Sequence, residues 1–159
     1  MHLDHDVVSF LTSPVSITVA SRDNAMLPSV ARAKGCTVRR SEVDSGGSRI
    51  RILLSASQAE QLLRDVATTH TISATFSLPR THRTLQFKGT DARVTALEPA
   101  DTAAIASYVD AFVNMIAHLG YSKEFVQAFL GSPADEVAVE FTPSDSFLQT
   151  PGPRAGSRL

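Results

Sequence analysis

The residues best equipped for chemistry gather in one stretch, Arg80-Thr81-His82-Arg83-Thr84-Leu85-Gln86-Phe87-Lys88-Gly89. Arg80, Arg83, Lys88 and His82 crowd into residues 80–88 of a chain whose formal net charge is −1. On a strand, Thr84, Gln86 and Lys88 point to one side, and Leu85 and Phe87 to the other. A face of hydroxyl, amide and ammonium suits an anionic, hydrogen-bonding ligand. The same residues also read as a solvated strand face with edge charges. A second polar cluster is Ser29-Val30-Ala31-Arg32-Ala33-Lys34, where Arg32 and Lys34 share a face. The third is Ser55-Ala56-Ser57-Gln58, where strand alternation gives way to helical spacing. A helix start offers free N–H groups and partial positive charge to a phosphate. Ser57 with Glu60, or Ser55 with Gln58, also makes a capping-box pattern, and Glu60 would compete for those N–H groups. Together the three clusters describe a strand-lined site for a planar, phosphate-bearing ligand.

Other chemistries find less support. Of His2, His5, His70, His82 and His118, only His2 and His5 are close in sequence, and no Cys or His pair has a zinc spacing. No metal is expected. Cys36 is the single cysteine, so no internal disulfide forms; it reads as a small half-buried residue rather than a nucleophile. No serine sits in a Gly-x-Ser-x-Gly elbow, and no phosphate loop or dinucleotide fingerprint occurs. A nucleic-acid-binding barrel is disfavoured by the net charge and by an aromatic fraction of 6%, with no aromatic pair alternating with basic residues on one strand. Residues 1–12 do not read as a signal peptide, and no window approaches the roughly 20 apolar residues of a membrane span. These readings make a cytoplasmic location the expectation, with neither membrane nor nucleic acid as a partner.

The elements that must position the polar clusters follow from periodicity. Residues 3–12 read as a helix with Leu3, Val7, Phe10 and Leu11 on one face, stopped by Pro14. Strands follow at 15–20 and 28–38, joined by the polar turn 22–25, and a third at 50–54 after the turn Ser45-Gly46-Gly47-Ser48. A helix at 57–68 carries Ala59, Leu62, Leu63 and Val66 on one face. Ile72, Ala74 and Phe76 mark the next strand. A longer strand runs from Leu85 to Ala96, and its apolar phase shifts at Gly89-Thr90, the sign of a bulge that bends a strand around a barrel corner. Helices at 101–119 and 123–130 precede a last strand at 137–141. The stripe Tyr108, Phe112 and Ile116 is core or a dimer surface. Runs of strands, rather than βαβ alternation, argue against a doubly wound parallel sheet and point to a mainly β fold, an antiparallel barrel with α-helices.

The 159 residues suit a single domain, expected at 1–142, followed by a Pro- and Gly-containing extended tail at 143–159. With 43% hydrophobic and 19% charged residues, the chain has the composition of an ordinary globular protein.

The sequence resembles the pyridoxamine 5′-phosphate oxidase-like family of FMN-binding split β-barrels. Four segments carry the resemblance: the hairpin at 15–21 and 28–32, the passage Leu54-Ser55-Ala56-Ser57-Gln58-Ala59, the stretch 83–89, and the tail Gln149-Thr150-Pro151-Gly152-Pro153-Arg154-Ala155-Gly156. The tail is similar to that of one uncharacterised branch. The resemblance implies a six-stranded split barrel, a homodimer, and FMN in the groove between subunits. It implies an FMN-dependent oxidoreductase of unknown substrate; a non-enzymatic module for FMN, haem or another anionic planar ligand is the alternative. Carried over by position, Arg32 lies near the flavin phosphate or ring, Ser57 and Gln58 at the phosphate, and Thr84 and Gln86 against the ring. The oxidases place an Arg-Lys pair where this chain has Gln58-Ala59, which removes two charge-assisted bonds of roughly 1.5–3 kcal/mol each. Arg32, Arg83 and Lys88 are the cations that could substitute. The residues that hold pyridoxamine phosphate in the oxidases have no recognisable counterpart, so that reaction is not expected.

Overall fold

The computed structural model describes residues 1–40, 47–117, 119–130 and 135–159. The elements run α1 (His5–Leu11), β1 (Ser16–Arg22), β2 (Pro28–Arg40), β3 (Ser48–Ser55), α2 (Glu60–Thr69), β4 (Ile72–Ser77), β5 (Thr84–Gly89), β6 (Arg93–Thr95), α3 (Pro99–Ala117), α4 (Lys123–Leu130), β7 (Glu136–Phe141) and β8 (Asp145–Leu148). Ser45 and Gly46 of the expected turn, His118, and the helix-ending Gly131 and Pro133 lie outside the described residues.

All strand pairs are antiparallel, in the order β6-β7-β3-β2-β1-β4-β5-β8. The two ends of that order are joined through the chain, because β6 continues β5 and β8 continues β7. Residues 84–95 and 136–148 are therefore two bent strands that pair with each other on both sides of a corner. Counted this way, the eight segments make a closed barrel of six strands.

The corner has a steric cause. A Cβ on Gly89 would lie 2.6 Å from Phe141 Cδ2 and 2.9 Å from the Thr142 carbonyl oxygen. The phase shift at Gly89 is thus the place where one bent strand crosses the other closely. Asp91 accepts the Thr142 N–H at 2.8 Å, and the Ser144 N–H reaches the Lys88 carbonyl at 2.8 Å, so these backbone groups at the bend are satisfied.

Alternation fills the barrel with Ile17, Val19, Ala31, Ala33, Ile50, Ile52, Leu54, Ala74, Phe76, Phe87, Val139 and Phe141. Helix α2 packs across β1, β2 and β6 and sends Leu62 and Val66 into the same core. Helix α3 lies on the outside of the barrel. Its Ile105 meets Leu53 and Ala138, and its Tyr108, Phe112 and Ile116 are buried, so that stripe is core. This outer cover explains why Leu53, on the outward side of β3, is apolar and fully buried. Segment 145–148, read from sequence as part of the tail, is strand β8 and pairs with β5. Residues 156–159 then fold back on it through Gly156 N–H to the Leu148 carbonyl and Leu159 N–H to the Ser146 carbonyl.

Candidate functional site

The barrel presents one broad polar face outward, made by β2, β1, β4, β5 and β8. It follows from the strand period: Ser16 and Thr18 alternate with Ile17 and Val19, and Ser73, Thr75 and Ser77 alternate with Ile72, Ala74 and Phe76. The register then aligns Arg32, Thr18, Thr75, Gln86 and Phe147 in a single row. Three strand spacings separate Arg32 from Gln86, roughly 14 Å, long enough for a fused three-ring system. Gln86 is fixed at both ends of its amide. It donates to Ser73 Oγ at 2.9 Å, and its carbonyl accepts from Gln149 at 3.0 Å. The Thr84 hydroxyl lies 2.9 Å from both Ser77 Oγ and the His82 carbonyl.

The cations on this face differ in their company. Arg32 is half-buried, donates to Ser16 Oγ, and lies 4.9 Å from the centroid of the Phe129 ring on α4. Among the described residues no carboxylate forms an ion pair with it. Lys88 and Arg158 both lie over the Phe147 ring, at 5.1 and 5.7 Å, and Arg158 pairs with Asp145 at 2.9 Å. Arg83 is turned away to the Phe10 ring of α1, 4.5 Å from its centroid. Lys34 does not share the open face with Arg32. It is buried and bonded to Glu136 at 2.6 Å, beside an irregularity in the β2–β3 register.

The strand-to-helix passage departs from the capping-box expectation. The N-cap of α2 is Ala59, without a side-chain cap, and Glu60 pairs with Arg64 instead. The turn ahead of the helix wraps around Asp135. Its carboxylate accepts the Ser57 N–H at 2.7 Å and the Ser55 hydroxyl at 3.0 Å, and its backbone carbonyl accepts the Ala56 N–H at 2.8 Å. The Ser57 hydroxyl and N–H, with Ser55 and Lys34, outweigh desolvation and hold Asp135 below the usual carboxylate range. This turn adjoins the polar face: Ala33 pairs with Leu54, which sets Ser55 beside Arg32, and Ser55 pairs with Glu136. The hydroxyl and amide face has the donors and acceptors that the ring of FMN would use. At Ser57 the N–H that a phosphate would use, with the neighbouring Ser55 hydroxyl, is already taken by a carboxylate.

Of the residues singled out from sequence, Arg32, Thr84, Gln86 and Lys88 share the outward face. Ser57 and Gln58 lie at its β3 end, and Arg83 lies off it. Sequence reading passed over Ser16, Thr18, Ser73 and Thr75, which form the middle of the face, and Asp135, which fills the turn. The serines and threonines were visible as the polar half of each alternation. Asp135 carried no signal, because it is 78 residues from Ser57.

A separate cavity of about 410 Å³ lies between α3 and β2, lined by Cys36, Thr37, Ala104, Ser107, Tyr108 and Ala111 among others. Burial pushes the Cys36 thiol and the Tyr108 hydroxyl up, and Tyr108 donates to the Val15 carbonyl at 2.6 Å. Both stay neutral, which makes Cys36 a packed thiol and not a nucleophile.

No family model matches the sequence, and no curated protein matches it. Solved structures match in shape. HupZ of Group A Streptococcus superimposes with a TM-score of 0.56 at 13% identity, over 97% of this chain and 99% of that one. An F420 reductase gives 0.51 at 17% identity, over 91% and 98%. A Lactobacillus delbrueckii protein, provisionally named a pyridoxamine 5′-phosphate oxidase, gives 0.50 at 11% identity, over 92% and 93%. The chain thus has the split β-barrel fold of the pyridoxamine 5′-phosphate oxidase-like proteins.

Proposed function

We propose that this split barrel binds a planar cofactor of the flavin type on the outward face of β2, β1, β4 and β5. The observation that carries the reading is the row Arg32–Thr18–Thr75–Gln86, with a guanidinium that has no carboxylate partner among the described residues. A guanidinium has five N–H donors, and Ser16 takes only part of that capacity. The remainder can meet a carbonyl or an anionic ring edge, while Thr18, Thr75 and Gln86 supply further polar groups along a flat ligand. When bound, a flavin supplies the redox chemistry, and the protein contributes position and charge. Arg32 would stabilise negative charge on the reduced ring.

The face is flanked by exposed apolar groups. Val30 is 64% exposed, and Phe125 and Phe129 of α4 are 50% and 41% exposed. A second copy of the chain closing over the ligand would cover them, which supports a homodimer. The single cysteine, buried and unpaired, fits a reducing, cytoplasmic setting.

The test is a titration with riboflavin and with FMN, read by flavin fluorescence and visible absorption, with light scattering for oligomeric state. Binding of either flavin, weakened tenfold or more in Arg32→Gln and in Gln86→Leu, supports the assignment. Failure of the wild-type chain to bind any flavin overturns it. Bleaching of the bound flavin by NADH or NADPH distinguishes an oxidoreductase from a module that only holds its ligand.

A further inference from the structure

The turn at residues 55–57 has the make-up of an anion site, with two successive N–H groups and two hydroxyls drawn together where a strand turns into a helix. A protein carboxylate already occupies it. Asp135 uses one side-chain oxygen for the Ser57 N–H at 2.7 Å, and the Ser55 hydroxyl lies 3.0 and 3.3 Å from its two oxygens. Its carbonyl takes the Ala56 N–H. The next residue, Glu136, is bonded to buried Lys34. At the β3 end of the polar face, Lys34 is therefore paired with Glu136, and Asp135 adds a second carboxylate at the turn. A phosphate arriving at the turn would meet donors already shared with Asp135 and a fixed like charge.

We propose that Asp135 is a resident anion that keeps phosphate out of this turn, and so sets the specificity of the outward face for a flavin whose side chain ends uncharged, as in riboflavin. The inference rests on the flavin reading for its ligand, and on the geometry around Asp135 for its mechanism. Asp135 acts here by two effects that reinforce each other. It satisfies donors that would otherwise be free for phosphate oxygens, and it repels a second anion at close range.

Two measurements test it separately from flavin binding as such. The first is the thermal midpoint of the whole chain with and without inorganic phosphate, for wild type, Asp135→Asn and Asp135→Ser. The wild type is expected to show no phosphate-dependent rise, and the Asn and Ser variants to gain one. Asn keeps the size and an acceptor oxygen but removes the charge; Ser also opens the space. A phosphate-dependent rise in wild type that the substitutions leave unchanged, or no gain in either variant, overturns the proposal whether or not any flavin binds. The second is the ratio of riboflavin to FMN affinity. Wild type is expected to bind riboflavin at least as tightly as FMN, and Asp135→Asn to shift the ratio tenfold or more toward FMN. Wild type favouring FMN tenfold, or a ratio unmoved by the substitution, overturns it. Absence of flavin binding in every variant defeats the functional assignment alone, because the phosphate measurement still decides the role of Asp135.

Discussion

Two arginines stand on outward faces of the same barrel and meet opposite fates. Arg51 on β3 lies beneath α3 and is 2% exposed. Its guanidinium reaches Asp101 at 2.5 Å, Glu140 at 2.9 Å, Thr95 at 3.2 Å and the Ala96 carbonyl at 3.1 Å. Asp101 is fully buried and also accepts from Thr37 and from the Glu98 N–H. Arg32 on β2 faces the uncovered side and has a hydroxyl and a ring for company. The difference separates two uses of one side chain. Under the helix, each donor is matched so that a buried charge can be tolerated. On the open face, donors are left over, and leftover donors are what a ligand can use.

Breaking the covered side should have the largest effect. Arg51→Leu strands the Asp101 carboxylate in the interior and should destabilise the chain by about 3–5 kcal/mol, read from the urea midpoint. Replacing both Arg51 and Asp101 by Leu should recover most of that loss. Recovery would show that the penalty lies in the orphaned charge rather than in the ion pair.

The same network sets a pH limit. Burial would raise Asp101 and Glu140, but Arg51, with the Glu98 N–H and Thr37 on one side and Arg49 on the other, holds both carboxylates below their ordinary values of 3.8 and 4.5. The unfolded chain therefore takes up protons first as the pH falls. Stability from the network is whole above those ordinary values and drains away as pH drops through the lower folded ones. Acid unfolding followed by circular dichroism should begin below about pH 4.5, and the Leu pair should remove the Asp101 part of that contribution.

Gly89 closes the corner between the bent strands. Gly89→Ala should cost about 1–3 kcal/mol through overpacking against Phe141 and the Thr142 carbonyl. The smallest effect on stability is expected at Arg32. Arg32→Gln should change it by less than about 1 kcal/mol while abolishing most flavin binding. A large loss of stability there would make Arg32 a structural residue like Arg51 and erase the contrast.

Much of this molecule could be read along the chain. Alternation at Ile17/Val19 and Ala74/Phe76, helical spacing at Leu62/Val66 and Tyr108/Phe112, and the phase shift at Gly89 are local signals. They report which side of an element is buried and where it must bend. Arg32, Gln86 and Lys88 were legible in the same way, as polar groups on the polar side of a strand. Arg51 was not. Its alternation with Ile50 and Ile52 places it outward, and nothing nearby tells that α3, beginning 48 residues later at Pro99, covers that side. Segment 145–148 was missed because four residues carry little periodicity, and pairing with β5 is what makes them a strand.

Sequence by itself determined the barrel's inward faces, its corner and the polar composition of its strands, because side-chain direction follows from the period of two and from the absence of a Cβ at Gly89. Tertiary structure alone decided which outward face was covered, and which anion took the donors at residues 55–57. Both depend on residues far apart in the chain, Asp101 with Arg51 and Asp135 with Ser57. Such pairings join residues that only the closed barrel brings together, and no local pattern encodes them.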